Sequence, residues 1–344
     1  MAADPLIWIL WRRRNGDLDQ MLALAAALGW RHEIKRLSFR GPGIPALANL
    51  LLKRDSHSLA PPWPDALFCA EALPSIVARK LKAQSRGAIK AVCIGRPAGT
   101  PAAFDLVITT PQYRIPQAPN VVELSMPLSM PAAAKVQPVS AFSGTRPLIA
   151  VLAGGSSFPD VLDGPAAMKL ARDIRLYADT SGGTLAVASS PRTGHDALAV
   201  LTSEITTPHR LHVYGEGENH YREVLGAADE VIVTSDSVSM VADALDAGKP
   251  VSVYALPQKL NLQWRITEWL HAHAIVKPTA LLAPVKWAFD QGVFEASADR
   301  RLLFGKLVAD RRISWFGTPA PVPDPDAARH DMNRAVESLR ALLA

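Results

Sequence analysis

The chain has 344 residues, 49% of them apolar and 20% charged, a balance that excludes a disordered chain and supplies two cores of roughly 150 residues each. Its net charge of +5 is uneven: residues 1–140 hold 17 Lys and Arg against 9 Asp and Glu, and the remainder 20 against 23. The two cysteines, Cys69 and Cys93, sit in apolar runs and read as buried thiols in a reducing compartment; with no paired CxxC and no HExxH, no zinc site is expected.

In chain order, Leu6–Trp11 is a short apolar run suited to a buried parallel strand, and Asp17–Leu28 has helical spacing closed by Gly29 at the C′ position. The opening run is too short for a signal peptide, and no apolar stretch reaches the length of a membrane span. Strands are expected at His32–Leu37, Ala66–Ala70, Ile89–Ile94, Phe104–Ile108 and Val121–Leu124, with helices at Ile44–Lys53 and Pro74–Ala83. Four prolines mark Ser125–Pro147 as a change of character, and residues 131–147 are read as a linker. The alternation then resumes. Strands are expected at Leu148–Leu152, Leu185–Ser189, Leu211–Tyr214, Val231–Thr234 and Val251–Tyr254. Helices are expected at Ala166–Thr180, His195–Leu201, His220–Gly226, Ser237–Ala247 and Leu262–Ala272. The pattern predicts a domain over 1–130, a second over 148–326, and a last helix over 327–344 that packs back toward the first domain.

Ligands of open α/β sheets bind at the carboxyl ends of the strands, so the residues after strands are the candidates. Ala153-Gly154-Gly155-Ser156-Ser157 follows one strand; its glycines permit close approach of backbone to a ligand, and its amides and hydroxyls suit phosphate, although a plain flexible turn has the same composition. Thr234-Ser235-Asp236-Ser237-Val238-Ser239-Met240 turns from strand into helix, with Asp236 or Ser237 as the expected cap and open amides for a diphosphate. Asp243, further along that helix, could accept the hydroxyls of a ribose. Ser190-Pro191-Arg192-Thr193 puts an arginine at a strand end, where it could grip a diphosphate. After the first strand, Arg12 to Gln20 includes Gly16, read as permitting a tight turn, and Asp17, read either as a helix N-cap or as a general base. Asp17-Leu18-Asp19 also has the DxD form of some metal sites, but three residues recur by chance and lie in the wrong half for a donor, so no metal is expected. His271 and His273 are two apart and face different sides of a helix.

Tyr214-Gly215-Glu216-Gly217-Glu218-Asn219-His220-Tyr221, Ala228-Asp229, Val231-Ile232-Val233-Thr234, Asp236-Ser237-Val238-Ser239-Met240 and Gly248-Lys249-Pro250-Val251 form one long ordered pattern. It resembles the bacterial branch of the mitochondrial-fission "elongated mitochondria" family, which is related to GT-B glycosyltransferases. The family's W-x-G-x-G-x-N-P-Y becomes a motif with Tyr214 for Trp and His220 for Pro, and Asp243 stands where the family has Glu. Gly154-Gly155, Ser190 to Thr193, and Trp8 to Gln20 agree more loosely. The resemblance implies two doubly wound Rossmann-like α/β domains in GT-B arrangement. It implies a nucleoside-diphosphate sugar held by Gly154, Gly155, Ser156, Ser190, Arg192, Tyr214, Asn219, Thr234, Asp236, Ser237, Ser239, Met240 and Asp243. Arg12, Gly16 and Gln20 would stand on the acceptor side with Asp17 as base, and no cofactor beyond the donor sugar is expected.

The implied reaction is metal-independent transfer to a lipid-linked or anionic glycan acceptor by a cytoplasmic protein, peripheral on the inner membrane. The basic N-terminal half suits an anionic membrane surface, with Ile44–Arg54 as the candidate contact; nucleic acid is not expected, because the basic residues are scattered. Two other readings share the fold: a nucleotide-sugar epimerase or hydrolase, and a non-catalytic adaptor at a membrane.

Overall fold

In Leu6–Trp11 (β1), Ile7 and Ile9 face one core cluster and Trp8 and Leu10 another. A strand alternates its side chains, so burial on both faces requires helices above and below it, and an unbroken apolar run is the signature. This computed structural model describes residues 4–12, 15–39, 57–70, 72–129, 145–217, 220–276, 278–291, 298–324 and 326–344. Asn219, the expected Ile44–Lys53 helix and membrane contact, and most of the linker lie outside them.

The elements of the first half are α1 (Asn15–Leu28), β2 (Arg31–Arg36), β3 (Ala66–Cys69), α2 (Ala72–Gln84), β4 (Lys90–Ile94), β5 (Leu106–Thr109) and β6 (Val121–Glu123). The six strands are parallel in the order β2-β1-β3-β4-β5-β6, which reverses direction beside β1. Gly29 ends α1 at φ +72°, its amide donating to the carbonyls of Ala25 and Ala26. Cys69 and Cys93 are register partners on β3 and β4, buried and free.

The second half carries β7 (Leu148–Leu152), α3 (Gly164–Ser181), β8 (Thr184–Ala188), α4 (His195–Glu204), β9 (His209–His212), α5 (Tyr221–Ala227), β10 (Glu230–Thr234), α6 (Val238–Asp246) and β11 (Val251–Tyr254). A short β12 (Ser314–Trp315), not foreseen from sequence, extends this sheet to six parallel strands in the order β12-β11-β10-β7-β8-β9. The order reverses between β7 and β10, the switch point of a doubly wound sheet, where the two neighbouring crossovers leave on opposite faces and open a crevice.

The chain forms two compact units: residues 1–130, 261–299 and 327–344 in one, 131–260 and 300–326 in the other. The grouping of 261–299 with the N-terminal unit departs from a plain division at the linker, and its physical cause is local. The Thr100 amide donates to the Asp290 carbonyl at 3.2 Å, the Asp299 amide to the Gln112 carbonyl at 2.9 Å, and Arg114 makes a two-pronged ion pair with Glu268 at 2.5 and 2.7 Å. This segment contains α7 (Leu262–His271), a π-helical turn over Ala272–Val276 and α8 (Ala283–Asp290); α9 (Arg300–Ala309) returns to the other unit. The last helix, α10 (Ala327–Leu343), places Ala335, Val336 and Leu339 in the core with Ile7, Leu24 and Phe68. Asp331, 6% exposed, anchors it by accepting from the Ser125 and Met126 amides and the Ser125 hydroxyl.

Candidate functional site

The loops after β7, β8 and β10 are bound to one another at the switch point of the C-terminal sheet. The Gly154 amide donates to the Thr234 hydroxyl at 2.8 Å, and that hydroxyl donates to Asp236 Oδ1 at 2.7 Å. Asp236 Oδ2 accepts from an Arg192 terminal nitrogen at 2.8 Å. The Ser190 hydroxyl donates to the Gly154 carbonyl, and the Thr193 hydroxyl lies 2.9 Å from the Ala153 carbonyl. The Asp236 side chain is fully buried while that of Arg192 is 45% exposed. Three loops are thereby locked around an arginine whose charge is steadied from behind and open in front. Charge-assisted bonds of this kind are about twice as strong as neutral ones, so the lock is stiff.

The glycines of this site act differently from the sequence expectation. A Cβ on Gly154 would lie 2.3 Å from Asp236 Oδ2, and one on Gly155, at φ +139°, 2.2 Å from the Arg192 carbonyl oxygen. Their missing side chains let the loops approach one another. Neither expected cap forms either: Asp236 is committed to Thr234 and Arg192, and Ser237, at the N-cap position of α6, makes no capping bond through its side chain and approaches the Ser239 hydroxyl at 3.4 Å. The first amides of α6 thus have no side-chain cap, and a helix end in that condition favours an anion.

Of the expected donor-site residues, Thr234, Asp236, Ser237 and Ser190 are buried, while Ser156, Arg192, Tyr214, Ser239 and Asp243 are exposed and Met240 half-buried. Ser156 spends its hydroxyl on the Leu162 amide at 3.0 Å, and Asp243 accepts from the Tyr221 phenol at 2.9 Å. Burial, and then that carboxylate, push the Tyr221 phenol upward. The Tyr214 amide is tied to the Ser189 hydroxyl at 2.8 Å, leaving its ring 55% exposed. Sequence reasoning missed Arg300 and Asp160, 140 positions apart, whose pair at 2.6 Å joins a half-buried guanidinium to a buried carboxylate and braces the loop after Gly155 through the Ser157 carbonyl. Nothing local in the sequence signals it.

In the N-terminal unit, α1 begins at Asn15, which puts Gly16 and Asp17 inside its first turn. Gly16 therefore makes no tight turn, with φ outside the left-handed region, and Asp17 is not the N-cap. Burial raises the Cys93 thiol, Cys69 adds to it, and the Asp17 charge adds further. Gln20 donates to the Gly16 carbonyl at 3.4 Å, and the Arg12 guanidinium lies over the Phe39 ring at 5.6 Å. Among the described residues no group of three or more His, Cys, Asp or Glu could hold a metal ion, and no helix is long and apolar enough to cross a membrane.

The family description "Mitochondrial fission ELM1" matches residues 15–296, which run from α1 through the loops after β7, β8 and β10. The chain belongs to the mitochondrial fission ELM1 family. No curated protein is similar enough to count as a relative. Among solved structures it is similar to the glycotransferase of kitacinnamycin over 99% of this chain and 100% of that one, at 11% identity and a TM-score of 0.51. It is also similar to MurG of Acinetobacter baumannii (97% and 100% covered, 13% identity, TM-score 0.44) and to S. aureus MnaA in a co-structure with UDP (98% and 97% covered, 11% identity, TM-score 0.46). At these identities the likeness speaks to the fold, which for this ELM1-family chain is of the GT-B class.

Proposed function

We propose that this protein is a GT-B-type glycosyltransferase that moves a sugar from a nucleoside-diphosphate sugar to a lipid-linked or anionic glycan acceptor without a metal. The observation that carries the reading is the Arg192–Asp236 lock beside the uncapped start of α6, at the switch point of the C-terminal sheet. A departing diphosphate needs fixed positive charge and amide donors, and a site that holds them in advance spends no energy on reorganisation. Arg192 would take the diphosphate, with Asp236, Thr234 and Ser190 positioning it. Ser239 and Met240 would flank the phosphates, and Asp243 and Tyr214 would meet the ribose and base. Asp17, in the N-terminal unit with Arg12 and Gln20, would take the proton of the acceptor hydroxyl. Fold does not imply function, so the site residues rather than the glycotransferase likeness bear the proposal.

Calorimetry with UDP, GDP, CDP and ADP tests it: one of them should bind, and a paired nucleotide sugar should compete. Absence of binding by all four at millimolar concentration would leave the adaptor reading. Turnover of the nucleotide sugar with no acceptor present would favour an epimerase or hydrolase, and that reading would replace the transferase one.

A further inference from the structure

A cavity of about 350 Å³ lies wholly within the N-terminal unit, between the strand-end loops after β4 and β5 and the 261–299 segment. Its walls divide by chemistry. One part is apolar, with Pro97, Ile115, Ile275 and Phe289; the other carries Arg96, Arg114, His271 and Lys286 against the single carboxylate of Asp290. With Glu268 behind Arg114 included and His271 neutral, the surroundings are net positive.

His271 is 5% exposed, lines this cavity, and has an Nδ1 with no hydrogen-bond partner among the described residues. A buried ring nitrogen left unmatched costs about 1–3 kcal/mol and calls for an explanation. Arg114 supplies a second departure: it holds φ +52° and ψ +41°, a left-handed conformation uncommon for a residue with a side chain, and Glu268 pins it there at 2.5 and 2.7 Å. Strain of this sort persists where surrounding bonds impose it, and it collects at binding sites. Arg96, in the loop after β4, is set against the loop after β5, its guanidinium 5.2 Å above the Tyr113 ring. Gly99 closes the wall, since a Cβ there would meet the Asp290 carbonyl oxygen at 2.4 Å.

We propose that this cavity binds an oxyanion, phosphate or carboxylate, carried on an apolar stem, with His271 Nδ1, Arg96 and Arg114 around the anion and Ile115, Ile275 and Phe289 along the stem. The volume suits a small amphiphile, at the lower end of ligand pockets. Leu262, Ile266, Trp269 and Leu281 of the same 261–299 segment are exposed. The inference concerns binding alone and stands apart from the donor site.

The same groups make the binding visible. Burial first, then the charges of Arg114 and Arg96, hold the His271 imidazole down to about 4, with Glu268 opposing; Lys286 and Asp290 also line the cavity. An oxyanion placed against the ring would favour its protonated form and raise that value. The experiment is calorimetry of the full chain, without nucleotide, against octyl phosphate, octanoate, octanol and inorganic phosphate, with the His271 ring followed by NMR. An anionic amphiphile should bind about tenfold or more tightly than octanol and than inorganic phosphate, and should raise the His271 titration point. Arg96→Ala should weaken it about tenfold or more, the scale of one charge-assisted hydrogen bond. His271→Gln, checked for folding by circular dichroism, should weaken it as well. Octanol binding as tightly as the anions, inorganic phosphate binding as tightly as octyl phosphate, an unmoved His271 signal, or no binding by either amphiphile would each overturn the proposal.

Discussion

The two units share a doubly wound sheet and treat their polar groups in opposite ways. In the C-terminal unit the strand-end loops close on themselves: Thr234, Ser190, Thr193 and Asp236 are each matched, and Asp160 meets Arg300. In the N-terminal unit the buried Trp8 Nε1, the Thr109 and Thr110 hydroxyls, Trp264 Nε1 and His271 Nδ1 lack partners among the described residues. A satisfied network holds its side chains in one geometry before any ligand arrives, whereas unmatched buried groups are a cost that a ligand can recover. One sheet thus presents a finished frame and the other an unfinished one.

The largest test of this contrast is Asp17→Asn. With Asp17 as the proposed general base, the variant should slow transfer about 10²–10⁴-fold with donor binding unchanged. Because Asp17 lies in the first turn of α1 and not at its cap, stability should fall by no more than the about 0.3–1 kcal/mol of a helix-end charge. Near-full transfer activity in the variant would move the base elsewhere and remove half of the division.

Arg192→Ala strikes the finished frame. Nucleoside-diphosphate binding should weaken by about 1.5–3 kcal/mol in calorimetry, while nucleoside binding changes much less. The variant also leaves the Asp236 carboxylate buried without its cation, so a thermal melt should shift downward. Equal losses for nucleoside and nucleoside diphosphate would make Arg192 a brace for the fold alone.

The effect smallest per step of the measurement concerns the unfinished side. His271 titrates near 6.5 when unfolded and at about 4 when folded, so the unfolded chain binds the extra proton first as pH falls. Its contribution to stability is present above 6.5 and is lost as pH drops toward 4, with a slope of up to about 1.4 kcal/mol per pH unit. Urea unfolding at several pH values should show this slope in the native chain and a shallower one in His271→Gln. Identical slopes would mean that the imidazole is already matched.

The alternation of strands and helices, the two-domain count and the family could be read from the chain, because these follow from local periodicity and from motifs of contiguous residues. The Tyr214–Val251 pattern was legible for that reason, as were the buried runs of β1, β7 and β11 and the stop at Gly29. What the site residues touch emerged only on folding. Gly154 and Gly155 make room for Asp236 and for the Arg192 backbone, and Asp236 steadies an arginine 44 positions away. Tertiary structure also drew 261–299 onto the N-terminal unit and built the cavity that holds His271, from residues 96–118 and 271–290. Contacts at such separations depend on where the crossovers of each sheet deliver their loops, and no local spacing in the chain encodes that placement.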